Sequence, residues 1–87
     1  MARVDALDEI TAWIKQSPER VGAYAFMAAK VMTRDGLGYR LAFDRCFRAA
    51  VDAGRSEAAA RLWVFRGFAA CAAGHPAPPA YLEESNG

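Results

Sequence analysis

Hydrophobic positions recur at helical spacing along most of this chain, and serine, glycine and proline interrupt them at four places. Val4, Leu7, Ile10 or Thr11, and Ile14 share one stripe, widened by Trp13, which predicts a first helix from about Asp5 to Lys15. Asp5, Asp8 and Glu9 fall in its first turn, where the positive end of the helix dipole favours acids. Ser17-Pro18-Glu19 then predicts a restart, with Ser17 as cap and Pro18 in the first helical position. The second helix runs to about Arg34, on a stripe of Val21, Tyr24, Ala25, Ala28, Val31 and Met32. Val21 to Ala29 carries no charge, which predicts burial on every side.

Asp35-Gly36-Leu37-Gly38 predicts the end of that helix, with Gly36 in the left-handed position and Leu37 folded back onto the last turn. A third helix is expected from about Tyr39 to Ala53, with Tyr39, Phe43, Cys46, Phe47 and Ala50 facing the core. Arg40, Asp44, Arg48 and Asp52 alternate in sign on its other side, at the spacing of helical ion pairs. Gly54 ends it, Ser56 caps the next, and a fourth helix is expected from about Glu57 to Ala73, stopped by Gly74 and Pro76. Leu62-Trp63-Val64-Phe65 cover the whole circumference of this last helix, so it is either central to the core or partly an interface. The pattern predicts an all-α fold: a compact four-helix bundle of two helical hairpins, with a single domain over 1–75 and a Pro-rich, partly disordered tail over 76–87. Tyr81 and Leu82 are the expected anchors of that tail. Tyr39, Ala42, Cys46 and Ala49 match part of a tetratricopeptide helix, but the glycine is displaced by one position and the preceding helix lacks the Trp-Leu-Gly pattern, so no repeat family is assigned.

Composition adds one point to this picture. Of 87 residues, 54% are hydrophobic and ten are aromatic, more than a small monomer readily hides. The surplus predicts an oligomer or a partner-binding surface, with Trp63, Phe65, Phe68, Tyr24 and Met27 as candidate protein-interface residues. A net charge of +1 argues against an acidic mimic of DNA and against a strongly electrostatic nucleic-acid binder. No apolar run approaches the length of a membrane span, and no secretory leader is read at the start, so the expected setting is cytoplasmic.

Catalytic chemistry finds little support. His75 is the sole histidine, and Cys46 and Cys71 are too few for a disulfide scaffold or a closed metal site. Cys71 and His75 are four residues apart, but no oriented base or oxyanion donor accompanies them. Gly36-Leu37-Gly38 is too short for a phosphate-binding loop. The expectation is therefore no catalytic residue, no cofactor and no metal.

The expected function is a small non-enzymatic protein-binding module, a regulator or stoichiometric inhibitor of a partner protein or complex, with homodimerisation expected as well. Short, compact, motif-free inhibitors of host machines, carried by phages and mobile elements, have the same profile; this is an analogy of class. The alternative is a small DNA-binding regulator. Seven arginines face four acids between Arg34 and Arg66, and the second and third helices could imitate a helix-turn-helix with Arg40, Arg45 and Arg48 towards DNA or an acidic partner.

Overall fold

The computed structural model describes residues 5–83; Val4 and the tail residues 84–87 lie outside that range. Among the described residues four α-helices make up the bundle: α1 (Ala6–Gln16), α2 (Val21–Asp35), α3 (Tyr39–Asp52) and α4 (Glu57–Ala72). No strand occurs among the described residues. Helix α2 is central and packs on the other three, most extensively on α4; α3 also packs on both α1 and α4.

The local signals explain most boundaries. The Asp5 carboxylate accepts from the Leu7 N–H at 2.9 Å, and Leu7, Ile10 and Ile14 turn one face of α1 inward. Gly36 sits in the left-handed region at φ 69°, and Leu37 N–H donates to the Met32 carbonyl at 2.9 Å while its side chain packs on the core. Ser56 Oγ accepts from the Ala59 N–H at 3.1 Å at the start of α4.

Two expectations need correction. Ser17 makes no side-chain cap, and Pro18–Arg20 form a single 3-10 turn before α2 begins at Val21. The turn satisfies its own backbone through Arg20 N–H to the Ser17 carbonyl at 3.0 Å, so the hydroxyl is not required. Tyr39 is not a core residue: it is 52% exposed. As the first residue of α3 it stands at the end of the bundle, where its ring leans edge-on against Phe68 and lies beside Phe43.

The α2–α4 seam rests on the absence of side chains. A Cβ on Gly67 would run into the Gly22 carbonyl oxygen, and would stand 2.7 Å from Ala25 Cβ and 2.8 Å from Phe26 N. Two helix backbones therefore meet almost directly, with alanines filling the remaining space. Val64 and Phe68 of α4 join Val21, Ala25, Ala28 and Ala29 of α2 in the main core.

The chain then crosses back over this pair. Residues Ala80–Leu82 form a 3-10 turn, and Leu82 is fully buried. Tyr81, the other expected anchor, instead stays exposed, with its ring edge-on to His75.

Candidate protein-binding surface

A groove of about 290 Å³ opens where α2, α3 and α4 converge. Met32 and Ala29 of α2 form one wall, Tyr39 of α3 closes one end, and Phe65, Ala69 and Ala72 of α4 form the other wall. Phe65 is 56% exposed and Tyr39 52%, so two aromatic rings flank the opening. Helical spacing sets this arrangement. Phe65, Ala69 and Ala72 fall on one face of α4, while Val64 points inward. The small alanines leave the hollow that Phe65 and Tyr39 border.

A second apolar groove, about 280 Å³, lies between α1 and α2. Ile10, Trp13, Met27 and Val31 line it, with Glu9 and Lys30 among its polar lining.

The five expected interface residues are thus dispersed. Phe65 stands at the first groove. Phe68 does not belong to an open surface: it is 5% exposed, packed inside the chain against Tyr39 and Phe43, and only floors the groove. Three positions separate Phe68 from Phe65, but the α3 aromatics cover Phe68. Met27 belongs to the α1–α2 groove. Tyr24 is half-buried beside Trp13, ring centroids 5.8 Å apart, with Arg20 over its ring. Trp63 is half-buried near Gly22, and the Arg66 guanidinium lies 5.0 Å from its ring centroid. Tyr39, Leu62 and Trp13 are exposed residues that the pattern did not single out as interface positions. For Tyr39 the available signal was its place at the first position of a helix, beyond reach of a full turn of core.

The arginine face is already furnished with acids. Arg45 pairs with Asp8, and stands 3.5 Å from Asp5, so it ties α3 to α1. Arg48 Nε donates to Asp44 Oδ2 at 2.8 Å, the helical pair expected from spacing. The bond to Asp44 holds the Arg48 guanidinium above its ordinary value. Arg40 is exposed on α3. Phosphate contact by Arg45 or Arg48 would have to compete with these carboxylates.

The thiols differ from one another. Cys46 is fully buried on α3, and burial pushes its pKa up to about 12, which keeps it a neutral thiol. Cys71 borders the first groove, while His75 lies past the Gly74 break. Among the described residues no group of three or more His, Cys, Asp or Glu is placed to hold a metal ion, and no helix is long and apolar enough to cross a membrane. Compared with known protein families, curated proteins and solved structures, the chain matches none.

Proposed function

We infer that this chain is a non-enzymatic protein-binding module, a regulator or stoichiometric inhibitor that holds a partner protein in the groove between α2, α3 and α4. The observation that carries this reading is the pair of exposed rings, Phe65 and Tyr39, on either side of an apolar hollow. Exposed aromatics beside a preformed pocket are the usual anchors of an interface. A hollow of this size accepts one or two apolar side chains, as when an amphipathic helix lays its face into a groove. A second copy of this chain is one such partner, and the reading extends to a homodimer.

Light scattering over a range of concentrations, with capture from host lysate, tests the proposal on the wild type and on Phe65→Glu. The expected result is a dimer or a captured protein that disappears in Phe65→Glu while the helical circular dichroism is unchanged. A wild type that is monomeric and retains nothing, or retention that ignores Phe65→Glu, overturns it.

A further inference from the structure

After the Gly74 break the chain runs through Pro76, Pro78 and Pro79 into the turn Ala80–Leu82, lying against α2 and α4. Three attachments hold it. The Leu82 side chain is buried with Phe26 and Ala70, in a cluster separate from the main core. Arg20 Nε donates to Glu83 Oε1 at 2.8 Å. Lys30 Nζ donates to the Pro76 carbonyl at 3.2 Å. The segment's turn is closed within itself, by Leu82 N–H to the Pro79 carbonyl and Glu83 N–H to the Ala80 carbonyl.

Beneath it the helices form a receiving surface. Gly22 presents bare backbone, and a Cβ there would collide with the Leu82 carbonyl oxygen; the Trp63 ring stands 3.1 Å from the same point. Phe26 and Ala70 line the floor, and Arg20 supplies a cation at the mouth. An apolar socket, a close approach to backbone and a positive charge one residue further on together describe a site for an extended peptide. The occupant's chemistry can be read from the segment now in place: a leucine followed directly by an acid.

We propose that this socket is a binding site for short peptide segments carrying leucine followed by an acidic residue, and that residues 76–83 are its built-in occupant, a strap that yields to a competing segment. The site is distinct from the groove between Tyr39 and Phe65; Cys71 is the residue that borders both. It does not depend on the function assigned to that groove. One buried side chain and two exposed polar contacts tie the strap to the helices, few enough for it to open locally. A strap in place lowers the apparent affinity for an outside peptide by the fraction of time the socket is open.

The test uses the full chain, wild type and Leu82→Ala, with an acetylated peptide reproducing residues 76–83 as probe. Binding is read from the NMR shifts of the Gly22 amide and the Trp63 indole. The Leu82→Ala chain is expected to bind the peptide about tenfold or more tightly than the wild type, because its own strap no longer competes. A peptide carrying the Leu82→Ala change is expected to lose binding, and one carrying Glu83→Gln to bind more weakly. In the wild type, the Leu82 and Glu83 amides are expected to exchange about 100-fold faster than those within α2 and α4. Equal binding by the two chains, or none by either, overturns the proposal. So does strap protection equal to that of the helices, or a Leu82→Ala chain that fails to fold, since either would make Leu82 a fixed part of the core.

Discussion

The bundle joins its helices in two different ways. Along α2–α4 the contact is made by leaving side chains out, with Gly67 against the backbone of Gly22, Ala25 and Phe26. Between α1 and α3 a long side chain spans the gap, Arg45 reaching Asp5 and Asp8 over a polar hollow that also contains Thr11, Lys15 and Asp52. The first contact has no slack and no solvent; the second has both. The difference predicts that sensitivity to substitution here follows freedom to relax rather than strength of attraction.

Gly67→Val should break the molecule most. The added atoms meet main chain, which cannot rotate away, and overpacking of this kind costs about 3 kcal/mol or more, beyond any gain from removing a helical glycine. Thermal unfolding followed at 222 nm measures this, and a variant as stable as wild type would dissolve the contrast between the seams. Next in size is a pH effect on the buried face of α3. The Cys46 thiol has a folded pKa of about 12 against an ordinary value of 9.0, so the unfolded chain ionises first. Its contribution is whole below pH 9 and is lost as pH rises from 9 towards 12. Between pH 8 and pH 10.5 the wild type should lose about 2 kcal/mol more than Cys46→Ala, as paired denaturant titrations would show.

Arg45→Ala probes the looser seam. Asp8 is more than half exposed, so solvent screens the pair, and the expected loss is at most about 1 kcal/mol by the same melting experiment. A loss rivalling that of Gly67→Val would show that the ion pair, and not the glycine contact, organises the bundle. Smallest of all should be Phe65→Ser, which leaves stability within about 0.5 kcal/mol because the ring is mostly in solvent. Its effect belongs to association, and light scattering is where it should appear.

What could be read in the sequence was local. The Ser56 cap, the left-handed Gly36, the helix stops at Gly54 and Gly74 and the Asp44–Arg48 pair all act within a few residues of themselves. Asp5 reads in the sequence only as a first-turn acid, and its capping bond is seen in the structure. Gly22 and Gly67 are 45 positions apart, and neither carries a local sign that the other is its partner. Phe65 and Phe68 look alike in sequence, yet one flanks a groove and the other lies beneath Tyr39 and Phe43, because α3 covers only one of them. The four apolar residues Leu62 to Phe65 divide between core and surface: Val64 is buried, while Leu62 and Phe65 are exposed. The apolar surplus also weighs less than its percentage suggests. Twenty of the hydrophobic residues are alanines, so the uncovered apolar surface comes from a few large side chains rather than from composition as a whole.

Alanine also sets the temperature response of the bundle. Nine of the nineteen buried hydrophobic residues among those described are alanines. Each gives up no rotamer freedom on folding and returns little apolar surface to water on unfolding. The heat-capacity increment should therefore fall below the roughly 12–15 cal/mol/K per residue of ordinary domains. A smaller increment flattens the stability curve, so the folding free energy of this bundle should vary less with temperature than that of an ordinary domain of its size.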